Sequence, residues 1–81
     1  EKNVISYYLP GEHQIGKIDP MDYLSYVLLT EVENLTLNQV KYPLTEASYK
    51  QPIALISNEF LSDKATFFFD SGIVAAIQSR D

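Results

Sequence analysis

The chain contains no cysteine and no tryptophan. Without cysteine, neither a disulfide framework nor a thiolate metal site can support a small fold. Glycine is scarce, at three residues, and Gly11 and Gly16 match no phosphate-cradling loop. Basic side chains are also few: six Lys and Arg stand against eleven Asp and Glu, for a net charge of −5. Lys2, Lys17, Lys41, Lys50, Lys64 and Arg80 are spread along the chain, so the sequence offers no basic patch for a phosphate backbone. No apolar run approaches membrane-spanning length, and no charged-then-apolar leader is present. These absences argue against direct nucleic-acid contact and against a membrane partner. The lack of cysteine fits a cytoplasmic protein.

What the chain does have is apolar surface. Hydrophobic residues make up 46% of 81 positions, enough for one globular core near the size at which a core alone is marginal. Self-association, as a homodimer, is the expected extra source of stability. The chain begins with Glu1 rather than methionine, so residues 1–81 are read as a single domain belonging to something longer.

The pattern along the chain predicts an α+β domain: a mainly antiparallel sheet of about five strands with one amphipathic helix packed on it. Residues 4–9, VISYYL, are β-branched and aromatic and read as a strand, followed by a loop over 11–18. Asp19-Pro20 has the form of a helix start, with Asp19 as N-cap and Pro20 in the first turn. Leu24, Val27, Leu28, Val32 and Leu35 follow at three- and four-residue spacing, and Asn34 suits a helix end. Strands are predicted over 36–44, 52–57, 65–69 and 72–78, with 52–57 central and the last two joined by Asp70-Ser71-Gly72. Phe67, Phe68 and Phe69 read as an inner strand with Phe68 facing away from its neighbours. One helix cannot cover every apolar strand face, which again points to a dimer.

Chemistry is sparse. His13 is the only histidine, beside Glu12, with no nucleophile signature near it, and reads as a loop residue. The acids are dispersed rather than set at metal-ligand spacing. No cofactor site and no enzyme chemistry are expected. Six tyrosines offer flat rings with polar tips, and Tyr7 and Tyr8 are the candidates for lining a ligand site. They point to opposite faces of their strand, so one of them at most can serve any given pocket.

Three segments together resemble the effector-binding (UTRA) domain of GntR-type bacterial transcription regulators of the HutC subfamily. VISYYLP resembles that domain's strand ending in Tyr-Leu-Pro. IDPMDYLSYVLLTEVENLTLNQVKYPLTEA resembles its acid-capped helix and the short strand after it. PIALISNEFLSDKATFFFDSGIVAAIQSRD resembles its closing hairpin, ending near Arg and Asp. The resemblance implies a chorismate-lyase-like sheet and a cytoplasmic domain for small-molecule sensing and dimerisation. Its ligand would be a metabolite such as a sugar phosphate or amino-acid derivative. DNA would be reached only through an attached winged-helix domain. On this reading Asp70 and Arg80 join Tyr7 and Tyr8 as candidate ligand-binding residues. Two alternatives stand beside it: a stand-alone structural, self-associating module with no small-molecule ligand, and an acidic inhibitor of a basic partner.

Overall fold

The computed structural model describes residues 3–80, apart from the side chains of Ala54 and Leu55. The described chain is all-β. Its eight strands are β1 (Val4–Tyr8), β2 (Gly11–Gly16), β3 (Tyr23–Leu28), β4 (Val32–Asn38), β5 (Leu44–Tyr49), β6 (Ile53–Glu59), β7 (Lys64–Phe69) and β8 (Val74–Ser79). Two four-stranded sheets form, in the orders β1-β8-β3-β6 (sheet A) and β2-β7-β4-β5 (sheet B). All the pairings are antiparallel. Successive strands change sheet at every connection except β4 to β5. This double-sheet order is that of a jelly roll.

The predicted helix is absent. Leu24, Tyr26 and Leu28 all point into the core on β3, an alternation of period two. A helix built on the Leu24–Val27–Leu28 stripe would leave Tyr26 on its other side, and the burial of Tyr26 is what makes this segment a strand. Asp19 is not an N-cap. It is exposed in a turn, its peptide to Pro20 is cis, and its carboxylate lies 3.7 Å from Lys17 Nζ. Asn34 does adopt the left-handed conformation, at φ 56°, but within β4. There it sits at an irregularity between Val32 and Leu35 that returns both side chains to the core. The five-strand α+β, chorismate-lyase-like expectation is therefore replaced by two sheets.

Other segments shift as well. Residues 11–16 are an edge strand rather than a loop, and His13 lies on it. The strand expected over 36–44 is divided between β4 and β5, with Gln39 turning at φ 65°. β6 is an edge strand, not a central one. Asp70-Ser71-Gly72 does not close a hairpin, because β7 and β8 lie in different sheets.

The core lies between the sheets. Phe67 and Phe69 from β7, Tyr26 from β3 and Leu35 and Leu37 from β4 are fully buried there, while Phe68 faces outward at 40% exposure. β7 runs between β2 and β4, an inner strand as its phenylalanines suggested.

Two buried amides close one end of the sandwich. Gln78 and Asn58 are both register partners of Leu24 and both face inward. The Gln78 oxygen accepts from the Ile18 amide at 2.9 Å, and its NH2 donates to the Gly16 carbonyl at 3.0 Å, holding the β2–β3 connection. The Asn58 oxygen accepts from the Tyr42 amide and its NH2 donates to the Tyr42 carbonyl, each at 2.9 Å, holding the β4–β5 connection.

Tyr26 is the exception to this pairing. Its hydroxyl is buried without a partner among the described residues. Burial, with Tyr8 nearby, pushes its phenol well above the ordinary range, so it stays neutral at physiological pH. An unpaired buried hydroxyl costs about 1–3 kcal/mol. Tyr26→Phe is therefore expected to hold or raise stability in urea titration. A loss of more than about 1 kcal/mol would show that the hydroxyl is paired after all.

Candidate functional site: the outer face of sheet A

The two outer faces of the sandwich differ. On sheet B the outward rows are Glu12–Phe68–Thr36 and Gln14–Thr66–Asn38, polar apart from one ring. On sheet A they are Tyr7–Ala75–Val27 and Ile5–Ile77–Ser25–Ser57. A third row, Ser79–Tyr23–Glu59, borders them. β3 and β8 carry apolar residues on both faces, the pattern of strands meant to be covered twice. One cover is the core. The other face is partly open: Tyr7 is 69% and Ile5 51% exposed, while Val27 and Ile77 are half-buried.

The relief of this face follows from residue size. Ala75 is only 3% exposed although it points outward, so its methyl is closed over by larger neighbours on this face. Leu29 and Ile73, joined by a hydrogen bond from the Leu29 amide to the Ile73 carbonyl at 3.0 Å, extend the exposed apolar surface at one end. At the opposite margin Glu59 Oε2 lies 3.5 Å from Lys41 Nζ. That carboxylate raises the lysine pKa above its ordinary value. A face of this kind, apolar, partly aromatic and edged by charge, marks a site of interaction.

The residues singled out from sequence are dispersed. Tyr7 lies on the outer face. Tyr8 points the other way, into the core, against the rings of His13 at 4.8 Å and Phe67 at 5.0 Å. His13 packs in the same aromatic cluster and bonds through Nε2 to the Leu9 carbonyl oxygen at 2.6 Å. Asp70 sits in the β7–β8 connection and accepts a hydrogen bond from the Asn34 side chain. Arg80 is exposed beyond the far end of β8, roughly 20 Å of strand away from Asp70. Asp81, part of the terminal pattern used in the resemblance, lies outside the described residues. Asp70 and Arg80 therefore do not converge. Ser25, Ser57 and Ala75 were missed because their place on one face depends on strand pairings between distant segments. Alternation within β8 was the available signal.

Among the described residues no group of three or more His, Cys, Asp or Glu side chains comes together as a metal site. No helix among them is long and apolar enough to cross a membrane.

The fold is an eight-stranded jelly-roll module with one apolar, ring-bearing outer face, and comparison with known proteins says of which kind. The family described as thiamin pyrophosphokinase, vitamin B1 binding domain, matches residues 12–74. The chain belongs to that family. It is 36% identical over 83 aligned residues to the thiamine pyrophosphokinase of Bacillus subtilis, covering all of this chain and 39% of the relative. The crystal structure of a thiamin pyrophosphokinase family protein from Enterococcus faecalis superposes with a TM-score of 0.93 at 45% identity, over 98% of this chain and 37% of that one. Thiamin pyrophosphokinase from Geobacillus thermodenitrificans gives 0.88 at 34% identity, over 98% and 38%. The chain thus spans about two fifths of the length of these relatives.

These matches overturn the resemblance to UTRA domains of GntR and HutC regulators, and with it the sensing-regulator function and the link to DNA through a winged helix. They also replace the expectation of a non-enzymatic protein, since the relatives are named as enzymes. The segments that suggested the regulator family were apolar strands ended by Pro, Asn or Asp, a pattern many β domains share.

Proposed function

We propose that this domain supplies a thiamin-binding surface to a longer thiamin pyrophosphokinase, and that the outer face of sheet A is that surface. The observation that carries the reading is the exposed Tyr7 ring standing in register beside the small, buried Ala75. Thiamin carries two flat heteroaromatic rings joined by a methylene, an aminopyrimidine and a positively charged thiazolium. The exposed face of a tyrosine ring suits a flat ring, and its π-face attracts positive charge. The net charge of −5 favours a cation at longer range.

We assign the chemistry of pyrophosphoryl transfer to the rest of the parent protein; the chain covers 39% of its Bacillus subtilis relative. This domain's part is to hold the acceptor in a fixed orientation, which removes much of the entropic barrier to a two-substrate transfer. An open sheet face encloses a ring only when a second surface closes over it. A second copy of the protein is the proposed closing surface, in keeping with the apolar area left uncovered. The cysteine-free sequence supports a cytoplasmic location for the parent.

Calorimetric titration of the full-length protein with thiamin tests the reading. Tyr7→Ala is expected to weaken binding about tenfold, the loss of one aromatic contact worth about 1–2 kcal/mol. Unchanged affinity in a variant with native circular dichroism would refute the assignment of this face.

A further inference from the structure

The four sheet edges are not alike. On β6 the edge is partly taken, since the Lys41 amide donates to the Glu59 carbonyl at 3.0 Å and Val40 bridges Phe60. β5 departs from a flat ladder at two irregularities against β4, with Glu46 at φ 49°. β2 carries the charged Glu12. Each of these features discourages the addition of another strand. β1 has none of them. Its five residues pair with β8 without a break, and they include no proline and no charge.

The backbone groups left free on β1 follow from the ladder. The Leu29 amide donates to the Ile73 carbonyl directly opposite, which makes these two a hydrogen-bonded pair. Bonded and non-bonded pairs alternate along an antiparallel ladder, so Ala75 and Ile77 also turn their backbone groups toward β3. Val74, Ala76 and Gln78 turn theirs toward β1, where they meet Tyr8, Ser6 and Val4. The N–H and C=O groups of Ile5 and Tyr7 therefore point out of the edge, and among the described residues no strand pairs with them. The same two residues carry the exposed side chains of the strand. Val4, Ser6 and Tyr8 face inward but are only half-buried, so the rim of the core is open here too.

Resting on the proposed longer parent, we infer that the edge of β1 is the docking site for a ninth strand, supplied by the part of the parent chain outside residues 1–81. This chain covers 39% of its Bacillus subtilis relative, which leaves the larger part of such a parent to provide the segment. The incoming segment is extended across the positions opposite Ile5, Ser6 and Tyr7. It bonds to the backbone of Ile5 and Tyr7 and sets apolar side chains beside theirs on the outer face. Its residue opposite Ser6 points inward and closes the rim of the core. A second copy is not the occupant, because a closed dimer has one two-fold axis and a partner lying over the face does not also run alongside the edge.

Residue-resolved hydrogen exchange on the full-length protein, read by NMR at several protein concentrations, tests the docking. The Ile5 and Tyr7 amides are expected to exchange at least about 100-fold more slowly than exposed loop amides, close to Ser6 and Tyr8, and equally at every concentration. Slow exchange at Ser6 and Tyr8 with loop-like rates at Ile5 and Tyr7 means an open edge and overturns the inference. Protection of Ile5 and Tyr7 that disappears on dilution assigns the edge to a second copy and overturns it as well. The calorimetric test of Tyr7→Ala reads a side chain on the face, whereas exchange reads backbone amides at the edge, so either can fail while the other stands.

Discussion

Phe67→Ala is expected to destabilise the domain by about 3–5 kcal/mol, through lost transfer energy and the cavity left behind. The ring is 1% exposed, and it meets Tyr8 edge-on, Tyr26 at 5.4 Å and the parallel ring of Phe69 at 6.1 Å. These neighbours come from both sheets, so their backbones cannot close in on the void without moving one sheet against the other. Phe68→Ala, one residue on but facing outward, should cost less than about 1 kcal/mol. Urea titrations of the two variants check the pair. Similar losses for both would mean that Phe68 is covered in solution, and a small loss at Phe67 would contradict its place between the sheets.

Gly72→Ala should rival that effect by a different route. Gly72 has φ +107°, a conformation open to glycine and rarely to other residues. A Cβ added there would lie 2.2 Å from the Glu31 carbonyl oxygen, with Thr30 and Val32 side-chain atoms also inside 3 Å. The crowding arises because two crossovers run side by side at this end of the sandwich. The Leu29 amide donates to the Ile73 carbonyl, Ile73 to Thr30 Oγ1, and Glu33 to the Ser71 carbonyl. Backbone strain of about 1–3 kcal/mol adds to overpacking of about 1–3 kcal/mol, a loss of several kcal/mol from a domain whose total is about 5–15 kcal/mol. A melting temperature within a few degrees of wild type would show that the crossovers can separate.

The helix that the sequence suggests over 19–35 fails for an identifiable reason. Leu24 and Leu28 are four residues apart, which is close to one helical turn and also two strand repeats. The residue that decides between them is Tyr26, and a tyrosine fits either a wet or a dry face. The three-residue step from Val32 to Leu35 looks helical too, yet it comes from the irregularity at Asn34, whose left-handed backbone puts one extra residue between two inward side chains. Asparagine's tolerance of that conformation was legible, but the element containing it was not. Strand composition was readable at β1, β7 and β8, as was the outward turn of Phe68. The division into two sheets was not, because each neighbour in a sheet comes from a distant part of the chain. The candidate site was legible only in Tyr7. Its other members are small residues, Ala75, Ser25 and Ser57, which become informative once pairing sets them side by side.

β8 is the eighth strand in chain order, yet it lies between β1 and β3 in sheet A. During synthesis on the ribosome, β1 and β3 therefore emerge with an empty lane between them, and no nascent chain shorter than about the whole domain can join them. Sheet A and the face it carries close in a single late event. A jelly roll with such long-range pairing belongs among the slower-folding small domains, in the range of milliseconds to seconds. Until β8 arrives, the edges of β1 and β3 are open to strands of other nascent chains.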